Sequence, residues 1–354
     1  MLHVFLDSNV CFTDPFMEKN INNRLLIELA EKQLITLYMS EVVKKEVINN
    51  FEKELTKQFE EIQKYESKIK KLLRDYDRPP IEWTNTVQEY VHKLENHIEE
   101  LEDYGYLEIL EFDNNMLPEL VERSLKRKKP FTEKKQEFRD AIIWFSYVQY
   151  VKPRVGRLGP CYFITNNTDD FTLNGEIHPD LQDDSTNFIF YKNAQEFIQN
   201  CPEVKELQKV LALVNWVEEE DFERHPNEIV DLIAWQNTID KVFDECWDYV
   251  YNNSHRIPVD YETYDRVKLE ATDITLKHGN NVKVEVVLDH VIINGYFVAE
   301  TEFEVSQYNP CWEPGDDDFF YLGTDTIDLK IDFTLTINQD KKIQDFEINY
   351  IEQD

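Results

Sequence analysis

Four acidic residues in the first half of the chain stand where side chains can do chemistry: Asp7 in VFLDSNV, Glu46 in SEVVKKEV, Asp140 in FRDAIIWF and Asp170 in ITNNTDDF. Each follows a β-branched or aromatic run, or sits one to two turns into an apolar-periodic helix. In a parallel α/β sheet, strand C-termini and the helices beside them open on one crevice, where such folds bind ligands. Four carboxylates gathered there repel one another unless cations neutralise them. Hard cations such as Mg²⁺ and Mn²⁺ take oxygen ligands, so a divalent-metal site is the economical reading. Taken singly, each acid also has a plain structural role. Asp7 suits a turn or N-cap, and Glu46 suits a helix surface paired with lysine. Asp140 suits the first turn of a helix, and Asp170 beside Asp169 suits a solvated loop.

The elements that must position these acids are legible in the hydropathy pattern. LHVFL (2–6) reads as a buried strand ending at Asp7, and INNRLLIELAEKQ reads as the helix that follows. ITLYM (35–39) is a second strand, and Ser40 is a good N-cap for a long helix with Val43, Val47 and Phe51 on its apolar face. Beyond about Phe51 this helix alternates Lys and Glu, as a projecting element does. Pro79-Pro80 breaks it, and Thr86 with Glu89 forms a capping-box pattern that opens another helix. The two form an expected helical-hairpin insert over about 51–104. Strands at 106–112, 161–165 and 187–191 alternate with further helices, one carrying Asp140. Five strands alternating with helices predict a three-layer α/β domain over residues 1–202 with a mainly parallel sheet.

Residues 203–354 have a different character. Residues 203–250 read as helical, with Trp216, Trp235 and Trp247 as core or interface anchors. Alternating strands follow, and Asn294-Gly295 is a hairpin signal. Ile327, Leu329, Ile331, Phe333, Leu335 and Ile337 share one face, and Phe346, Ile348 and Tyr350 share another of the same kind. The expectation is a separate acidic α+β domain with an antiparallel sheet solvated on one side.

Charge divides the same way. The net charge is −33, which opposes nonspecific nucleic-acid binding by the whole surface. Yet residues 122–157 hold 11 Lys and Arg against 4 Asp and Glu, whereas residues 205–354 hold 12 against 34. A basic stretch therefore surrounds Asp140, and the acidic domain suits a protein partner or self-association. The five cysteines lack a paired spacing, which predicts reduced and mostly buried thiols, and the histidines lack zinc spacing. With no apolar run of membrane-spanning length and no secretory signal at the N-terminus, a soluble, cytoplasmic protein without membrane association is expected.

The ordered acidic motifs resemble the PIN-domain family, specifically its larger bacterial PIN-like branch, over residues 1–202. LDSNV is similar to the first motif, with Asp7 as the acid and Asn9 as its polar neighbour. SEVVKKEV is similar to the second, and ERSLKRKKPF followed by FRDAIIW to the third. FITNNTDDF is similar to the fourth, and HPDL (178–181) also looks like this branch. The helical insert and the amide-rich Asn166-Asn167 depart from the pattern. The resemblance implies metal-dependent phosphodiester hydrolysis with Mg²⁺ or Mn²⁺ at Asp7, Glu46, Asp140 and Asp170, acting on nucleic acid, with RNA ahead of DNA. Asn9, Thr165, Asn166 and Asn167 would support the site. Lys126, Arg127, Lys128, Lys129, Lys134, Lys135 and Arg139 would meet the polyanion. A toxin-like or phage-defence ribonuclease is the leading expectation, and a noncatalytic PIN-like scaffold acting through the acidic domain is the alternative.

Overall fold

The computed structural model describes residues 1–73, 79, 81–131, 138–235, 238–263 and 266–354, apart from the side chain of Trp235. The chain divides into two compact units, Met1–Gln208 and Lys209–Asp354, with the division inside the helix Pro202–Glu220.

The first unit runs β1 (Leu2–Leu6), α1 (Ile21–Glu31), β2 (Ile35–Ser40), α2 (Glu41–Leu72), α3 (Val87–Asp103), β3 (Leu107–Leu110), α4 (Leu117–Leu125), α5 (Phe138–Val151) and β4 (Cys161–Ile164). After β4 come α6 (Thr168–Phe171), a short β5–β6 pair (Thr172–Leu173 and Glu176–Ile177), α7 (Pro179–Gln182), β7 (Phe188–Tyr191), α8 (Ala194–Asn200) and α9 (Pro202–Glu220). Five strands form one sheet in the order β3-β2-β1-β4-β7, and every pairing is parallel. Val4, Phe5 and Leu6 are fully buried, as is every residue of β4. Burial on both faces explains why these strands are continuous apolar runs and not alternating ones. The sheet grows from β1 through β2 to β3 on one side and through β4 to β7 on the other. Its topological switch point therefore lies between β1 and β4, where Asp7 and Thr165 emerge.

Local chemistry sets the helices. The Ser40 hydroxyl accepts the Val43 N–H at 3.2 Å and starts α2. Only Val43 and Val47 of this helix are buried, so the remainder projects from the sheet. A reciprocal capping box between Thr86 and Glu89 starts α3. The two helices pair through Gln88 donating to Glu52 at 2.6 Å, while Phe59 stacks on Trp83 with ring centroids 4.4 Å apart.

The second unit packs α10 (Asn227–Trp235) and α11 (Ile239–Asn252) on an antiparallel sheet. The strands are β8 (Val267–Val287), β9 (His290–Tyr308), β10 (Phe319–Ile337) and β11 (Ile343–Gln353), in the order β11-β10-β9-β8. Ile327, Leu329, Ile331, Phe333, Leu335 and Ile337 all face the core beside Ile233, Val242, Cys246 and Val250.

Two expectations for this unit are overturned. Asn294-Gly295 is not a turn: both residues lie within β9, and the hairpin closes at Leu288-Asp289, with Leu288 at φ 55°. Gly295 instead faces an irregularity in β8, where an added Cβ would sit 3.2 Å from the Asn280 carbonyl oxygen. Close backbone approach at a bulge needs that glycine. Tyr350 is 58% exposed, away from the core face that holds Phe346. Phe333 pairs with Ile348 and Asp332 with Tyr350, so Asn349 is an extra residue. A bulge of this kind reverses the side-chain alternation after it.

The thiols of Cys11, Cys161, Cys201 and Cys246 are buried and free, whereas Cys311 is exposed. Among the described residues no helix is long and apolar enough to cross a membrane. Trp216 is buried and Trp247 stacks on Tyr251.

Candidate active site

Asp7 ends β1 and caps a short 3-10 turn, Ser8–Val10. Its carboxylate is only 5% exposed. Oδ1 accepts from the Ser8 N–H at 2.7 Å and the Ser8 hydroxyl at 3.4 Å. Oδ2 accepts from the Asn9 amide at 2.5 Å and the Thr165 hydroxyl at 2.6 Å. Thr165 is fully buried beyond the end of β4, so its bond to Asp7 spans the switch point. Burial is the largest influence on Asp7 and pushes its carboxyl above the ordinary 3.8, although Thr165 and Ser8 pull the other way. The negative charge of Glu46 adds to the rise. Negative charge is thus crowded at the end of β1 and incompletely balanced by hydrogen bonds.

Glu46 lies in the second turn of α2, and its partly buried carboxylate pairs with the Arg139 guanidinium at 2.7 Å. That ion pair ties α2 to the first turn of α5, where Asp140 is the next residue. Asp140 is itself partly buried. Seven residues further along α5, on the same helical face, the Tyr147 hydroxyl donates to the Leu6 carbonyl and accepts the Ser40 N–H at 3.1 Å. Tyr147 thus docks at the ends of β1 and β2. Asp140 stands two turns earlier, or about 10 Å along the helix axis.

Asp170 sits on the single turn of α6, held by the buried ring of Phe171. Its carboxylate accepts from the Lys129 ammonium at 3.2 Å, which also donates to the Asp169 carbonyl at 2.9 Å. The amide-rich segment supports the same end of the sheet. The Asn166 N–H donates to the Asn9 side-chain oxygen at 3.3 Å, and the Asn167 N–H donates to the Thr165 hydroxyl at 3.1 Å.

The basic residues are more engaged than the sequence conveys. Arg139 pairs with Glu46, Lys129 with Asp170 and Lys126 with Glu122. Arg127 and Lys128 are exposed, and Lys134 and Lys135 lie outside the described residues. Two features escaped sequence reasoning. Tyr147 is one, and its spacing from Asp140 was the available signal. Arg123 is the other. This buried guanidinium pairs with Asp184 at 2.7 Å and donates to the carbonyls of Lys129 and Asp180 at 2.7 and 2.6 Å. Trp144 donates to the same Asp184 at 2.9 Å. These bonds fasten the backbone of Lys129 to α7. Nothing in a charge-rich stretch distinguishes the buried arginine from its exposed neighbours.

In the structure the charge of Glu46 reaches Asp7, Glu46 is tied to the residue before Asp140, and Asp170 is held through Lys129. The structure does not close all four into one shell: among the described residues no group of three or more His, Cys, Asp and Glu is arranged to hold a metal ion. The donor chemistry nevertheless fits a hard cation, because every candidate donor is an oxygen and Asp7 and Glu46 repel.

The family description that matches this sequence is the PIN domain, over residues 4–171. These residues form a PIN domain. PIN domains are typically metal-dependent nucleases, usually bind divalent metals, and imply a nucleic-acid substrate. No curated protein and no solved structure gives a significant match to the chain. Residues 172–354 lie outside the PIN match.

Proposed function

We propose that the chain is a divalent-metal-dependent endoribonuclease, with Mg²⁺ or Mn²⁺ held by Asp7, Glu46, Asp140 and Asp170. The observation that carries this reading is the Asp7 carboxylate, buried at the switch point of a PIN-domain sheet and raised in proton affinity by burial and by Glu46. A divalent cation, when bound, relieves such repulsion, lowers the pKa of a bound water and offsets charge on the attacked phosphate. The chain's own contribution is positional. Thr165, Ser8 and Asn9 fix the Asp7 oxygens, while Asn166 and Asn167 hold Asn9 and Thr165 in turn. Arg139 and Lys129 pair with Glu46 and Asp170, and a cation taken up by these carboxylates would free both basic groups for phosphate. Lys126, Arg127 and Lys128 extend that positive rim, and the sequence adds Lys134 and Lys135 to the same basic stretch.

We assign this activity to residues 1–202, in a toxin-like or phage-defence setting, and assign protein contacts or self-association to the acidic domain, residues 203–354. The test combines calorimetric Mn²⁺ titration with cleavage assays on single-stranded RNA, DNA and structured RNA. The full chain binds Mn²⁺ and cleaves RNA. Asp7→Asn with Asp140→Asn loses cleavage by at least about 10²-fold, with an unchanged circular dichroism spectrum. A wild-type chain that binds no Mn²⁺ and leaves every substrate intact overturns the reading in favour of a noncatalytic PIN-like scaffold.

A further inference from the structure

Beside Asp7 lies a cleft of about 250 Å³ between the start of α1 and the end of β7. Its lining is unusual for a chain of net charge −33. It includes Asn9, Asn22, Asn166, Gln195 and Lys192, and no lining residue is acidic. Three further lining asparagines have structural duties. Asn20 and Asn193 cap α1 and α8, and the Asn23 amide donates to the Val10 carbonyl. Those duties leave other polar groups uncommitted. The side chains of Asn166, Gln195 and Lys192 make no hydrogen bond or ion pair among the described residues.

We infer that this amide-lined cleft is the nucleotide-reading subsite of the enzyme, taking an unpaired nucleotide next to the scissile phosphate. The inference rests on the nuclease reading given above and deepens it. Three observations support it. First, the cleft begins at the reacting centre: one Asn9 donates its amide to Asp7, accepts the Asn166 N–H and lines the cleft wall. A ligand in the cleft is thereby placed next to the metal-binding carboxylate.

Second, the chemistry of the lining is that of base recognition. Side-chain amides present a donor and an acceptor together and match the edges of unpaired bases, with Asn and Gln pairing best with adenine. Third, the electrostatics suit a polyanion. Lys192 is the single ionisable group on the lining, and the N-terminal end of α1 adds its positive dipole. Carboxylates elsewhere in this acidic chain would repel the phosphates of the same strand. The volume accommodates about one nucleotide and is below that of typical pockets for larger organic ligands. The cleft therefore specifies which residue of an RNA strand is presented to Asp7.

The test uses the full chain and the double variant Asn22→Asp with Lys192→Glu. Asn22 lies in the first turn of a helix, where an acid is tolerated, and Lys192 is exposed, so both changes keep the fold. The variant takes up Mn²⁺ as the wild type does, while its KM for single-stranded RNA rises about tenfold and kcat changes less. Its preferred cleavage positions, read by sequencing the product ends, also shift. Unchanged KM and unchanged cleavage positions, in the presence of an active wild-type enzyme, overturn the inference and leave the nuclease reading intact.

A second measurement is independent of turnover. Hydrogen exchange with a non-cleavable 2′-O-methyl oligoadenylate shows protection at residues 20–23 and 192–195. Binding that protects only other segments, or no binding, overturns the subsite. An inactive wild-type chain that takes up no Mn²⁺ fails the nuclease reading itself.

Discussion

Asp7 and Asp328 are the same side chain at the surfaces of two different sheets. Asp7 follows a strand of the parallel sheet, is sealed from solvent, accepts from neutral donors and feels the negative charge of Glu46. Asp328 lies mid-strand on the open face of the antiparallel sheet, where Lys277 pairs with it at 2.7 Å and with Glu300 at 2.8 Å. The open sheet disperses its acids across a wet surface, where a single lysine serves two of them. The parallel sheet, covered on both faces, leaves only its strand ends for polar groups, and concentrates them there. An acidic composition therefore yields a buried carboxylate such as Asp7 where topology removes water.

That contrast can be broken most directly at Thr165. Thr165→Val deletes the hydroxyl that joins Asp7 to β4 and accepts the Asn167 N–H. A loss of about 1–3 kcal/mol is expected for a buried group left unsatisfied, measured by urea unfolding. A change near zero would mean that Asp7 is as well solvated as Asp328. A smaller effect concerns pH. The folded state holds the Asp7 proton more tightly than the unfolded chain, so the unfolded chain releases it first as pH rises past 3.8. The contribution of Asp7 to metal-free stability is thus most favourable below that value and declines as pH climbs through the folded-state value. Subtracting the profile of Asp7→Asn, taken from melting temperatures over about pH 4–7, isolates this slope. Saturating Mn²⁺ removes it. The smallest effect is expected from Lys277→Met, which should leave the melting temperature within experimental scatter and insensitive to added salt. A large loss there would show that the open sheet also depends on charge pairing.

The sequence carries the first sheet well because its signals are local. The apolar run ending at Asp7, the Ser40 cap and the Thr86–Glu89 box each involve neighbours a few residues apart. The same holds for β10, where strict alternation from Ile327 to Ile337 declares the buried face. Tyr350 misled because one inserted residue, Asn349, reverses the alternation without altering composition. Asn294-Gly295 misled because glycine serves a close strand approach as readily as a turn. At the candidate site, residue types and order were legible, but their engagement was not. The pairs Arg139–Glu46 and Lys129–Asp170 and the buried Arg123–Asp184 link depend on distant segments meeting, which no local pattern records.

Tyr147 has a mechanical consequence. Its phenol is wedged between the final carbonyl of β1 and the last N–H of β2, so α5 has a depth stop. Sliding the helix by one turn would strip both bonds from groups that water cannot reach. Movement of Asp140 that keeps both bonds is limited to its own side chain and the first turn of α5. Any gating of this acid is confined to the few residues above that stop.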